Sequence, residues 1–345
     1  MRRNMVTIRE LAHVVELLED FAGASTVTDA LQAAGLDRSV LSLKAGFAPY
    51  ASEGILVETV ARAMGDRLLG ARIGRIFDYA RYGAYSSFVL SAPDLATALA
   101  RGARAFLLIH PGSEIVFRQT ETHVVVGRSA VGLTVMGHRH LDEGSVFVLV
   151  TVIRHFLGKG WHPDWIELPH EARVDVPQIE EMIGASVRLR DSPPSIAIRL
   201  RDLQTRNCSP RSLDANIDLD DLAALMGVNP VQTIGDAVEQ ILQITVANAD
   251  MSEETVASHL AIGPRTLQRA LRQEGTSFNA VQSRFAKSKA QHLLTHTDRS
   301  IDQIASTLGY KDPRSFRRAF NRWTGVSPSL YRTQRRTGSD PVLAD

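Results

Sequence analysis

Two short stretches of the sequence set arginines and small polar residues around an apolar stripe at helical spacing. In the first, Arg265, Thr266, Gln268, Arg269 and Arg272 surround Leu267, Ala270 and Leu271. In the second, Arg314, Ser315, Arg317, Arg318 and Arg322 surround Phe316, Ala319 and Phe320. On a helix the apolar set falls on one buried face and the polar set faces outward. Guanidinium groups match guanine edges and phosphate oxygens, glutamine matches adenine, and serine or threonine hydroxyls serve either. This is the chemistry of reading and gripping a DNA groove. At least half of all hydrogen bonds to DNA go to its backbone, so base and phosphate contact stand even for any one of these arginines.

The elements that must position these groups are duplicated about fifty residues apart. Val256-Ala257-Ser258 matches Ile304-Ala305-Ser306, and Leu260 matches Leu308. After one extra residue in the second turn, Pro264-Arg265 matches Pro313-Arg314, and Arg269-Ala270 matches Arg318-Ala319. Each copy reads as a helix, a turn containing glycine, and a second helix opened by proline, whose missing N–H costs nothing in a first turn. That is the pattern of a helix-turn-helix. Gly263-Pro264 opens the first recognition helix without a side-chain cap.

Charge follows the same division. Met251 to Arg336 holds fifteen Lys/Arg against six Asp/Glu (+9), whereas Met1 to Asp250 holds 24 against 30 (−6). A basic C-terminal third on an acidic body suggests a polyanion partner for that third alone. No apolar run is long enough to cross a bilayer. Arg9, Glu10 and His13 interrupt the apolar core that a signal peptide would need after Met1-Arg2-Arg3-Asn4-Met5. A cytoplasmic location and no membrane partner are expected. Cys208 is the one cysteine, which excludes disulfides within the chain and thiolate metal cages.

The chain from Met1 to about residue 215 reads as α+β. Helices are expected over Ile8–Phe21, Gly54–Leu69, Leu141–Leu157, Pro177–Ile183, and from Pro93, with Ser91 as a start signal, to about Ile109. Strands are expected at Glu114–Arg118 and His123–Gly127 as a hairpin pair, then at Trp165–Leu168, Val187–Leu189 and Ser195–Arg199. Asn207 to Asn216 is polar and loop-like. The expected divisions are 1–215, a linker 216–232, an all-helical domain 233–336, and a tail 337–345.

The C-terminal stretch resembles the DNA-binding domain of the AraC/XylS family from Ile234 to about Arg332. The diagnostic residues are Ser300-Ile301-Asp302-Gln303-Ile304-Ala305, then Leu308-Gly309-Tyr310, and the closing Gly325-Val326-Ser327-Pro328-Ser329-Leu330-Tyr331-Arg332. Phe278 to Leu294, with Arg284, Ala290 and Leu293-Leu294, matches the family's linker helix. The resemblance implies seven helices with two helix-turn-helix units on one linker helix. Arg269 and Arg318 then occupy positions that often meet DNA, with Arg272 and Arg322 as phosphate grips. Leu90 to Leu99, Gly184 to Leu189 and Trp165 to His170 are similar to the arabinose-binding-like sensor domain of one subgroup. That similarity implies a small-molecule effector, a homodimer, promoter DNA and RNA polymerase as partners, and, by commonness in the family, activation. The alternative is an N-terminal domain that only dimerises or binds a protein partner.

No ligand-binding residues are assigned. Tyr79, Arg81, Tyr82 and Tyr85 offer an aromatic and basic lining for an anionic ligand, weighed against a half-buried helix end. His138 and His140 lie two apart, but no further ligand follows at a metal-site spacing, so a polar loop is expected and no metal or cofactor. His110, His123, His155 and His162 are scattered and read as structural or solvated. No Walker loop, dinucleotide-binding glycine turn or nucleophile elbow is present, and Cys208 lacks a reactive setting, so no catalytic residue is expected.

Overall fold

A computed structural model of the chain describes residues 4–43, 45–130, 132–133, 135–209, 217–246 and 251–336. The expected tail at 337–345 and the part of the polar stretch from 210 to 216 lie outside the described residues. Two compact units divide the chain. One comprises Met1–Gln232 with His259–Ala261, and the other Thr233–Ser258 with Ile262–Asp345.

The first unit opens with β1 (Met5–Thr7) and α1 (Ile8–Ala33). The Thr7 hydroxyl caps α1 by accepting from the Glu10 N–H at 3.4 Å, and Gly23, at φ 79°, kinks it. That break falls two residues past the expected end at Phe21, and a second helical stretch continues to Ala33. β2 (Phe47–Pro49) pairs antiparallel with β1. α2 (Tyr50–Met64) and α3 (Leu69–Ile76) replace the single helix expected over Gly54–Leu69, because Gly65 ends α2 in the left-handed conformation. α4 (Ala84–Leu90) and α5 (Leu95–Ala105) follow. Asp94, not Ser91 or Pro93, starts α5, its carboxylate accepting from the Thr97 N–H at 2.8 Å.

The five-stranded sheet comes from β3 (Glu114–Gln119), β4 (His123–Ser129), β5 (Trp165–Leu168), β6 (Ser186–Leu189) and β7 (Ser195–Arg199). Its order is β3-β4-β7-β5-β6, antiparallel except for the β5–β6 pair. The expected hairpin is present, with Val116 opposite Gly127. α6 (His138–Leu157) lies between β4 and β5 in sequence, and α7 (Val176–Ile183) precedes β6. α6 and α3 pack backbone to backbone. A Cβ on Gly74 would stand 2.3 Å from the Gly144 carbonyl oxygen and 2.7 Å from its Cα, so only glycine allows this approach. The expected linker 216–232 is not all extended chain. It contains α8 (Leu219–Met226), capped by Asp218, with Leu222, Ala223 and Met226 buried.

The second unit is all helical: α9 (Ile234–Thr245), α10 (Glu253–His259), α11 (Pro264–Gln273), α12 (Phe278–His296), α13 (Ile301–Thr307), α14 (Pro313–Thr324) and α15 (Pro328–Arg336). α9 and α13 start with reciprocal capping boxes, Thr233 with Asp236 and Ser300 with Gln303. Glu274, at the end of α11, accepts from the Ile234 and Gly235 N–H groups at 2.7 and 3.0 Å, which ties α11 to the start of α9.

Candidate nucleic-acid interface and interior cavity

The repeat folds as two helix-turn-helix units on either side of α12. In the first, α10 contributes Val256 and Ala257, and α11 contributes Leu267 and Leu271, all fully buried. In the second, Ile304 and Ala305 of α13 meet Phe316, Ala319 and Phe320 of α14. Ring contacts consolidate this second core, with Tyr310, Phe316, Phe320 and Tyr331 linked at centroid distances of 5.4 to 5.8 Å. Nineteen residues at 1.5 Å each make α12 about 28 Å long.

The predicted contact residues stay outside this core. Arg265, Gln268, Arg269, Arg272, Arg314, Arg317, Arg318 and Arg322 are exposed, and Thr266 and Ser315 are half-buried. They do not form two equal sets. Arg317 donates to Asp302 on α13 at 2.7 Å, and is drawn toward its own unit. Ser315 belongs to the cap of α14. Asp312 accepts from the Arg314 and Ser315 N–H groups and from the Ser315 hydroxyl, and Arg318 donates to that hydroxyl at 3.1 Å. These hydrogen bonds hold the Asp312 carboxyl below its usual range. Arg272 donates to the Gln268 carbonyl one turn back, at 3.3 Å.

The two turns also differ. A glycine was expected to make each, and Gly309 does so at φ 73°. In the first unit Ala261 takes the left-handed position, at φ 54°, while Gly263 is extended at φ −76° and serves as an N-cap without a side chain. An alanine there carries a Cβ clash that Gly309 avoids.

The N-terminal unit holds a partly open cavity of about 110 Å³. Its wall draws on α1 to α6, β3, β4 and the turn at Tyr79–Tyr82. Tyr79, Tyr82 and Tyr85 line it and are buried, which corrects the expectation of a half-buried helix end. Arg81 points elsewhere and pairs with Glu16 at 2.8 Å on the surface. Most of the lining is aliphatic or aromatic, but Glu10, Glu53, His110 and Arg128 are buried in it too.

These buried polar groups are incompletely satisfied. Among the described residues Glu53 Oε2 and Arg128 Nε have no hydrogen-bond partner. His110 Nε2 stands 2.8 Å from Glu10 Oε2, a close approach without hydrogen-bond alignment. Arg128 donates to the Tyr50 hydroxyl and lies over that ring, 4.2 Å from its centre. Burial, reinforced by the Glu10 carboxylate and partly offset by Arg128, pushes the Glu53 carboxyl far above the usual range. Burial likewise lowers the His110 pKa, against the pull of Glu10.

The sequence reasoning missed these four residues as a set. Glu10 served only as an interruption of an apolar run, and His110 was read as structural or solvated. Their signal was slight: ionisable residues on otherwise apolar helix faces, as in Glu10-Leu11 and Tyr50 to Val57. His138 and His140 do not form a polar loop. They open α6, with His140 buried and its Nδ1 accepting from the Gly70 N–H at 3.2 Å. Among the described residues no cluster of three or more His, Cys, Asp or Glu has metal-binding geometry, and no helix is long and apolar enough to cross a membrane. Cys208 is exposed.

Comparison with known proteins agrees with this layout. Residues 25–207 match the model for the arabinose-binding domain of AraC transcription regulators, and residues 256–334 match a helix-turn-helix domain model. The transcriptional regulator VqsM of Pseudomonas aeruginosa is 37% identical over 78 residues, 23% of this chain and 24% of VqsM. The ornithine utilization regulator of the same organism is 40% identical over 79 residues, 23% of each chain. The chain thus aligns with about a quarter of the length of these relatives. The crystal structure of CdpR from P. aeruginosa covers 76% of this chain and 86% of its own, at 21% identity and a TM-score of 0.35. With more than half its length matched by the N-terminal model and the helix-turn-helix model behind it, the chain belongs to the AraC family of DNA-binding transcription regulators.

Proposed function

We propose that the chain is a ligand-responsive regulator: a small effector enters the N-terminal cavity and alters how the two helix-turn-helix units engage promoter DNA. The cavity carries this reading. A void lined by side chains with unsatisfied buried polar atoms is costly to maintain in a unit that only dimerises. A bound molecule supplying those partners would stabilise the state that holds it. Regulation then needs different affinities for the effector in the DNA-competent and incompetent states. On the DNA side, Arg269 and Arg318 read bases, and Arg265, Arg272, Arg314 and Arg322 grip phosphates. Thr266, Gln268 and Ser315 add polar contacts, and Arg317 braces α14 against α13. Recognition helices at the two ends of α12 suit successive major grooves on one DNA face, about 34 Å apart. The working form in this reading is a homodimer that activates through RNA polymerase.

A second reading, an N-terminal unit used only for self-association, draws on β3. It is an edge strand of the sheet with Phe117 exposed. Thermal denaturation against sugars, amino acids, amines, fatty acids and aromatic acids separates the two. A dose-dependent rise that also changes affinity for operator DNA supports the first. No response across the panel, with a concentration-dependent dimer, replaces it with the second.

A further inference from the structure

Four buried ionisable groups of the cavity, Glu10, Glu53, His110 and Arg128, form one interacting cluster. Glu53 on α2 is 4% exposed, and its Oε2 has no hydrogen-bond partner among the described residues. Glu10, from the first turn of α1, faces the same space and is near enough for the two carboxyl groups to act on each other. Arg128 of β4 is the one buried guanidinium beside them, and it already commits a nitrogen to Tyr50. Two carboxyl groups against one guanidinium leave an excess of acid. The rest of the wall is mainly apolar or aromatic; its other polar residues include Ser145, which donates to the Asp142 carbonyl, and His140, whose Nδ1 accepts from the Gly70 N–H. Tyr79 and Tyr82 pack edge to face with ring centroids 5.3 Å apart, and Tyr82 lies tilted against Phe77 at 5.3 Å.

This distribution selects among ligand classes. A sugar needs hydrogen-bonding groups spread around it, whereas here most of the lining's unpartnered polar atoms belong to this cluster. A carboxylate head would bring a third acid beside Glu10 and Glu53. A cationic head finds carboxyl oxygens lacking partners, and ring faces that attract positive charge within about 6 Å. Resting on the effector-sensing reading above, we propose that the cavity takes a small organic ammonium, its protonated amine between Glu10 and Glu53 and its apolar body against the tyrosine rings.

A proton accompanies the binding. The titratable groups lining the space with Glu53 are Glu10 from α1, Tyr50 from α2, Tyr79 and Tyr82 from the turn before α4, Tyr85 from α4, His110 after α5, Arg128 from β4 and His140 from α6. Burial beside Glu10 raises the Glu53 carboxyl pKa and so favours its neutral form without ligand. An ammonium at hydrogen-bond distance favours the carboxylate, so the carboxyl proton passes to solvent as the ion pair forms.

The test uses the full chain with hexylamine and phenethylamine, each set against the acid and alcohol of the same body: hexanoate and hexanol, 3-phenylpropionate and 2-phenylethanol. The amines are expected to raise the melting temperature with dose, and the matched acids and alcohols to leave it unchanged. The heat of amine binding should vary with the buffer's ionisation enthalpy. Glu53→Gln should keep the fold, because a neutral side chain suits the site. It should weaken amine binding about tenfold or more and abolish the buffer dependence. Glu10→Gln, on the other wall, should weaken amine binding similarly. A response to the acids or alcohols instead of the amines overturns the ammonium assignment and leaves the effector reading standing. An amine response undiminished in both variants places the amine elsewhere and also overturns it. Silence from these probes and from the wider metabolite panel overturns both.

Discussion

Gly74→Ala places one methyl group at the α3–α6 contact, where the consequence follows from the backbone. The added Cβ would lie 2.3 Å from Gly144 O, 2.7 Å from its Cα and 2.8 Å from its carbonyl carbon. All three are backbone atoms, so no side-chain rotation relieves the contact and the helices must separate. Overpacking a tight core site costs about 1–3 kcal/mol, and an unyielding backbone places this case near the upper end. Alanine recovers about 1 kcal/mol of helix propensity, which leaves a net loss of about 2 kcal/mol. For a unit of this size that corresponds to a fall of about 4–8 °C in melting temperature. Because Gly70, Ile73, Gly74, Leu141 and Gly144 also line the cavity, effector affinity should fall with stability. The assay is thermal and urea unfolding of the full chain by circular dichroism, with DNA anisotropy confirming that the helix-turn-helix unit remains folded. An unchanged or raised melting temperature would refute the close-packing argument, since alanine would then be acting as it does on an open helix.

Further outcomes are expected. Arg269→Ala and Arg318→Ala should each weaken operator binding by about 1–3 kcal/mol while changing random-sequence binding less. Equal loss on both DNAs, measured by anisotropy at fixed salt, would reassign them to phosphate. Ala261→Gly should stabilise the protein by up to about 1 kcal/mol in urea unfolding, because it relieves a left-handed alanine; a loss would show that the turn is unstrained. Burial, opposed by Arg139, raises the Glu143 pKa from 4.5 to about 7. Its protonated form is therefore favoured in the fold, a contribution present below pH 4.5 and lost as pH rises through 7. Glu143→Gln mimics that form, so its stability relative to the parent should improve by up to about 3 kcal/mol between pH 4.5 and 8.5. A difference independent of pH would show that Glu143 is ionised throughout.

The DNA-binding half was legible in the sequence because its information is local. A duplicated helical period, a proline at each recognition-helix start and capping residues such as Ser300 with Gln303 are all set within a few residues of one another. The strands of the N-terminal sheet were legible for the same reason, as period-two runs bounded by turns. Sequence could not distinguish an arginine reaching outward from one held in place. Arg317 and Ser315 look like Arg314 and Arg318 in the pattern, and only the packing of α13 beside α14 brings Asp302 to Arg317, while the cap at Asp312 engages Ser315.

The ionisable cluster of the cavity lay beyond sequence reasoning. Glu10, Glu53, His110 and Arg128 come from four separate elements, and no spacing rule connects them. Tyr79, Tyr82 and Tyr85 could be noticed as a cluster, yet whether they faced water or a void depended on α1, α5 and α6 closing over them. The sequence by itself determined the strands of the five-stranded sheet, the helices of the duplicated units with their apolar faces, and that the C-terminal third is basic; β1, β2, α8 and the break between α2 and α3 were not read from it. Tertiary structure alone decided which ionisable groups are taken out of water together, because burial is a property of the assembled layers. That removal from water is what gives Glu53 and His110 their altered chemistry.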